Sequence, residues 1–225
     1  MSLILNIDTA VEIASVCLAK DNEILQLALN ENQNDHASWL HITIADVLQK
    51  TGSIVNELSA VAVSIGPGSY TGLRVGLASA KGFCYALNIP LMAISTLKMI
   101  AFAVKDEAIN ANFICPLIDA RRMEVFTSMY DHSLVEKIPP RAVILDENSF
   151  SAILAENKVL FCGNGSKKLQ NIISSYNALF TDTVANAAHL SQLSYNYFRN
   201  KEFASLAYTD PLYIKEFYTP TTRVS

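Results

Sequence analysis

The run GPGSYTGLR, residues 66–74, decides the fold and raises the question of function. Three glycines and a proline follow a nearly continuous apolar segment, Leu58 to Ser64. Such a segment suits a buried central strand, and a glycine-rich turn leading into a helix often cradles phosphate. Two nucleotide patterns fail here. A Walker loop requires lysine and a hydroxyl residue after its last glycine, whereas Leu73 and Arg74 follow Gly72. The dinucleotide pattern G-x-G-x-x-G belongs after a first strand; Gly66, Gly68 and Gly72 are spaced one residue too wide for it and follow a fourth strand. A tight strand-to-helix turn accounts for the same residues. Gly66 or Gly68 can take dihedrals closed to other residues, Pro67 stiffens the path, and Ser69 and Thr71 can cap the amides that open the next helix. Exposed amides there make the turn a candidate anion site.

The helix after the turn, residues 71–87, reads TGLRVGLASAKGFCYAL. One face carries Leu73, Leu77, Ala80, Cys84 and Leu87 and is expected to pack on its own sheet. The other is expected to carry Gly72, Gly76, Ser79 and Phe83, with Val75, Gly82 and Ala86 nearby, and only Arg74 and Lys81 are charged. A helix without a polar face is buried on both sides. Each glycine in its body costs about 1 kcal/mol relative to alanine, so close approach of another helix is the expected compensation. The Trp39/Ile42 side of the preceding helix is the natural neighbour. The cover over this face is either another chain or the second half of this one.

Working outward, residues 3–9, 13–19 and 23–29 read as a three-stranded meander, with Lys20-Asp21-Asn22 as a polar turn. Asn32 to Asp35 is a polar loop, Asp35 caps a helix from His36 to Lys50, and its stripe is Ala37, Leu40, Ile44, Val47 and Leu48. A strand at 91–94 and a helix at 97–103, capped by Ser95 or Thr96, complete a β-β-β-α-β-α-β-α order. The polar stretch 105–112 reads as a seam, giving domains at 1–105 and 106–225. Beyond it, strands are expected at 113–118, 124–130 and 159–162, helices at 149–156, 168–174 and 184–196, and strand character at 211–214 before a loose tail. Two α/β halves result.

Composition narrows the function. The chain has 225 residues, 51% hydrophobic and 17% charged, with a formal net charge of -4. This is a folded, apolar composition. Its 17 Lys and Arg form no basic block, which argues against a direct grip on a nucleic-acid backbone. The start MSLILNIDTAVE does not resemble a signal peptide, and no apolar run reaches the roughly 20 residues of a membrane span. A cytoplasmic protein that does not engage membranes is expected. The four cysteines, Cys17, Cys84, Cys115 and Cys162, match no metal spacing and read as small core fillers.

Other chemistry is sparse. Asp8 ends the first strand, where a carboxylate can meet metal or phosphate or simply cap a turn. His36 and His41 are five apart, about 140° around a helix, which does not suit two ligands of one metal. No metal site is expected. Asp119-Ala120-Arg121-Arg122-Met123-Glu124 follows a buried strand; Arg121 is a candidate for an anion and Glu124 for holding Arg121 or Arg122, unless the run is only a salt-bridged turn. Gly163-Asn164-Gly165 weakly mirrors the first glycine turn, which suggests a cleft between paired halves.

The segments ILNIDTA (4–10), GPGSYTGLRVG (66–76), AKG (80–82), DARRMEVF (119–126), GNG (163–165) and PLYIK (211–215) resemble the bacterial TsaB family, also called YeaZ, over almost the whole chain. The resemblance implies two related α/β domains of the sugar-kinase/Hsp70/actin (ASKHA) superfamily. It implies a non-catalytic scaffold and activating subunit in the addition of threonylcarbamoyl to adenosine 37 of certain tRNAs. Its partner would be the catalytic TsaD subunit, joined by the ATPase TsaE; ATP and a divalent metal would belong to those partners, and this chain alone would need no cofactor. Without TsaD, two copies would pair, and tRNA would be met through the complex. The implied contact is the first two helices: Trp39, Ile42, Gly72, Val75, Gly76, Ser79 and Phe83. The set Asp8, Gly66, Gly68, Ser69, Thr71, Arg74, Asp119 and Arg121 is structural or a candidate for anions. DHASWLH departs from the family's usual histidine-serine-glutamate run. TAVEIAS after Asp8 lacks the glycine of the superfamily's kinases, which leaves a small-molecule kinase or ATPase as the alternative reading.

Overall fold

The computed structural model describes residues 1–30 and 36–215, with side chains in the first helix from Ser38 onward. The expected loop and cap at 32–35, the His36 and Ala37 side chains, and the tail beyond 215 lie outside the described residues. Strands β1 (Leu3–Asp8), β2 (Ala14–Lys20) and β3 (Glu23–Asn30) form an antiparallel meander. The hairpin turn between β2 and β3 is Asp21-Asn22, both with positive φ, as a two-residue turn between twisted strands demands. Helix α1 (His36–Lys50) leads to β4 (Ala60–Ser64), α2 (Tyr70–Leu87), β5 (Leu91–Ile94) and α3 (Thr96–Ala103). The first sheet has the order β3-β2-β1-β4-β5, with β4 and β5 parallel to β1.

The second half repeats this plan. Strands β6 (Phe113–Asp119), β7 (Glu124–Tyr130) and β8 (Glu136–Ile144) are antiparallel. Helix α4 (Ser151–Leu154), β9 (Val159–Cys162), α5 (Ser166–Gln170), β10 (Ala178–Phe180) and α6 (Ala187–Asn200) follow. The second sheet runs β10-β9-β6-β7-β8, with β9 and β10 parallel to β6. Two copies of one five-stranded plan, each a meander extended by parallel crossover strands, make the two-domain architecture of the sugar-kinase/Hsp70/actin superfamily.

The period of two along β1 sets the layers. Leu3, Leu5 and Ile7 face α1 and α2 in one core with Leu40, Ile44, Val47 and Leu77. Ile4 faces the other way, toward Tyr197 and Phe198 of α6. Leu190 and Leu193 of α6 join α3 and the inner face of the second sheet in a separate core. The strands thus divide near residue 105, but α6 comes from the second half and packs on the first sheet. A 106–225 unit therefore leaves the first sheet without its second cover. Buried polar groups fix this docking: the Ser194 hydroxyl donates to Asn6 Oδ1 at 2.6 Å, and the Ala187 amide to Ser15 Oγ at 2.8 Å.

Several expectations are corrected. The seam at 105–112 contains a short 3-10 helix, Lys105–Asn110. The helix expected at 149–156 shortens to α4. Strands β8 and β10 were not anticipated. Residues 211–214 form no strand; the segment is a strap, with the Leu212 amide donating to the Ile65 carbonyl at 2.7 Å.

Candidate functional site

Asp8 ends β1 and is fully buried. Its Oδ1 accepts from Ser64 Oγ at 2.5 Å and from the Ala10 amide at 3.1 Å, while Oδ2 has no partner. Burial pushes its carboxyl up from 3.8 to about 6, against the lowering effect of these two bonds. The turn after it closes on the glycine loop. The Ser69 amide donates to the Ala10 carbonyl at 2.7 Å, and the Thr9 hydroxyl to the Gly72 carbonyl at 2.7 Å. Gly66 exchanges two bonds with Thr96, at 3.0 and 2.9 Å. Ser69 Oγ caps α2 by accepting from the Gly72 amide at 3.3 Å; Thr71 lies inside the helix and is exposed.

A Cβ at Gly68 would overlap the Ala10 carbonyl, and one at Gly72 the Thr9 carbonyl. The glycines let the β1–β2 turn sit directly on the start of α2. The close packing of residues 9 and 10 on Gly72 and Gly68 accounts for these glycines without a bound phosphate. Among the described residues, no group of three or more His, Cys, Asp and Glu could hold a metal. The thiols are poor nucleophiles: burial pushes Cys17 and Cys84 up to about 11 and Cys115 to about 12.

The docking assignment along α2 requires correction. Gly72, Gly76 and Ser79 are buried. A Cβ at Gly76 would overlap Thr9 Oγ1 and touch Val63 and Ile7, so this glycine faces its own sheet. Ser79 Oγ lies 3.2 Å from His41 Nε2, within the α1–α2 seam. Trp39, Val75 and Phe83 are half-buried against the first core. Of the seven expected docking residues, Ile42 alone is fully outward, at 66% exposure. The free face of the helix pair instead carries Ile42, Ala45, Ala78, Gly82, Tyr85 and Ala86. Tyr85 is 82% exposed, and a Cβ at Gly82 meets nothing within 4 Å.

Across from the glycine turn, the β6–β7 turn holds Arg121 and Arg122 in left-handed backbone, at φ 69° and 47°. Glu124 holds neither arginine, contrary to expectation. It pairs with Lys215 of the strap at 2.5 Å, and Asp119 pairs with Lys168 at 2.6 Å. Arg74 does not face an anion site: its Nε donates to Tyr213 Oη at 3.0 Å, and its guanidinium lies 4.0 Å over the Tyr70 ring. The strap 211–215 thus ties the glycine loop and α2 to the second sheet. PLYIK stood out in the sequence, but its partners did not.

The family model described as "tRNA N6-adenosine threonylcarbamoyltransferase" (TsaD) matches residues 30–210. The TsaB protein of Bacillus subtilis, named for tRNA threonylcarbamoyladenosine biosynthesis, is 27% identical over 176 residues, covering 76% of this chain and 74% of its own. The Escherichia coli protein of the same name is 32% identical over 127 residues, covering 56% and 54%. A Pseudomonas aeruginosa crystal structure, described as similar to peptidase YEAZ, superposes with a TM-score of 0.83 at 23% identity, covering 96% of this chain and 100% of the other. The likeness of that structure concerns the fold. With the family model matching most of its length and its curated relatives carrying the TsaB name, the chain belongs to the TsaB (YeaZ) family.

Proposed function

We propose that this chain serves in tRNA threonylcarbamoyladenosine biosynthesis as a non-catalytic scaffold and activating subunit that docks the catalytic TsaD subunit. The observation that carries the reading is the outer face of α1 and α2. It presents Ile42, Tyr85 and the small residues Ala78, Gly82 and Ala86, with Asp46 and Arg74 as isolated exposed charges. Small residues let a second helix pair approach closely, and the two exposed side chains supply the apolar anchors of such a contact. The turn after Asp8 supports the same reading, because TAVEIAS lacks the glycine of a phosphate-binding turn. ATP and a divalent metal then belong to the partners, TsaE joins the assembled complex, and tRNA is met through it. In the absence of TsaD, the same face pairs two copies.

Gly82→Arg tests the docking. The open space around Gly82 accommodates the side chain, and loss of a mid-helix glycine favours the helix. The variant is expected to keep the wild-type circular dichroism spectrum and to lose co-purification with TsaD. An intact complex would remove α2 from the interface. ATP turnover by the isolated wild-type chain at a useful rate would instead support a kinase or ATPase.

A further inference from the structure

Among the described residues, Asp8 Oδ2 is the one buried side-chain oxygen or nitrogen without a hydrogen-bond partner. The carboxyl ends β1, the central strand of its sheet, and strand pairing holds it on both sides. Asp8 lies opposite Ser15 of β2, and Ser64 of β4 donates to Oδ1. The β1–β2 turn that follows is held differently. Two bonds seat it on the glycine loop, from the Ser69 amide to the Ala10 carbonyl and from the Thr9 hydroxyl to the Gly72 carbonyl. Thr9 and Ala10 are buried, whereas Glu12 is exposed. Lifting this turn would bring water to the carboxyl without unpairing β1.

No charge compensates the carboxyl. Of the titratable groups on the elements around it, Glu12 points to solvent, Lys20 stands at the far end of β2, and Tyr70 and Arg74 of α2 engage Tyr213. Lys81 lies two turns further along α2, and His189 of α6 accepts from the Asn186 amide. Its two protonation states therefore differ in cost. The acid leaves one polar group unmatched, whereas the anion leaves a dry, unpaired charge, which is far more costly. Burial accordingly pushes the carboxyl up from 3.8 to about 6.

We propose that Asp8 is a proton-operated latch for the β1–β2 turn: with its proton bound the turn stays seated on the glycine loop, and loss of the proton shifts it toward a lifted state in which water reaches Oδ2. Ala10, Val11 and Glu12 line the cleft between the lobes together with Gly68 to Thr71, so the latch sets the shape of that wall. The sign follows from the raised value. The seated turn is favoured fully below 3.8, and that preference is lost as pH rises through about 6.

Hydrogen exchange of the isolated chain, read residue by residue by NMR, tests the latch; docking to TsaD plays no part in it. The Ser69 and Ala10 amides should exchange through a local opening that low urea leaves unchanged. The Ile65 amide, bonded to the Ile94 carbonyl behind the loop, should be better protected and should respond to urea. With Asp8 at 3.8 in the lifted state and about 6 in the seated one, the local opening should rise roughly tenfold between pH 5 and pH 8, after correction for intrinsic exchange rates. In Asp8→Asn the rise should vanish. Ser64→Ala removes a donor that favours the charged form, so the rise should steepen; this variant decides the matter if Asp8→Asn does not fold. The latch is overturned by a flat profile in the wild type, by the same rise in Asp8→Asn, by an unchanged or shallower rise in Ser64→Ala, or by Ser69 exchange that follows urea as Ile65 does.

Discussion

Asp8 offers a measurable electrostatic signature. Its carboxyl is fully buried, with one oxygen bonded to Ser64 and Ala10 and the other unpartnered. The folded chain therefore holds the proton more tightly than the unfolded chain, with a value of about 6 against 3.8. The sign follows: the contribution of Asp8 to stability is fully present below 3.8, is lost as pH rises through about 6, and is flat above it. At roughly 1.4 kcal/mol per unit, the loss is about 3 kcal/mol. In Asp8→Asn, the amide oxygen can keep both acceptor roles, and the amide nitrogen replaces the unpartnered oxygen. The buried, unmatched donor resembles the protonated acid, so the two proteins should be nearly equally stable at low pH. Above the folded value, Asp8→Asn should be more stable by up to about 3 kcal/mol. Urea unfolding of both proteins across this range isolates Asp8, because other titrating groups cancel in the difference. A wild-type minus variant difference that stays constant with pH would refute the reasoning.

Three further outcomes follow from the packing. Gly76→Ala should destabilise the fold by about 1–3 kcal/mol, because its methyl would overlap the Thr9 hydroxyl under the β1–β2 turn; a thermal midpoint equal to wild type would contradict that placement. Ser194→Ala should cost about 1–3 kcal/mol in urea unfolding, since it leaves Asn6 Oδ1 buried without its donor. Lys215→Ala should change stability by less than about 1 kcal/mol, because the ion pair with Glu124 is half-exposed on the lysine side, and the same unfolding assay checks it.

Most of the first half was legible because its patterns are periodic and long. The stripe Leu40, Ile44, Val47 and Leu48 is buried as its spacing implies, and the apolar run before the glycine loop is a central strand. Strand β8 escaped notice because Pro139 and Pro140 argue against a strand, yet prolines are tolerated at an edge, where β8 lies. Strand β10 has only three residues, too few for a period to show. The closure of the first sheet by α6 depends on contacts such as Ser194 to Asn6, across 188 residues of chain, which no local pattern carries.

The phase of α2 is the more instructive error, because the signal was present. Residues 73, 76, 77, 80 and 84 follow the three-and-four spacing of one apolar stripe, and Gly72 borders it. The glycines belong to the inward face on spacing alone. Residues 71, 74, 78, 82 and 85 form the outward stripe by the same rule, and all are exposed. A glycine signals close approach but not of what; here the neighbour is Thr9, whose hydroxyl reaches Gly72 across 63 residues. The helix therefore separates two duties by face. Its inner glycines admit the β1–β2 turn, whereas its outer face carries the small, exposed residues Ala78, Gly82 and Ala86. Substitutions at Gly72 or Gly76 should register as lost stability, and those at Ala78 or Gly82 as lost association. A single glycine-rich helix can thus admit a close turn on one face and carry small, exposed residues on the other.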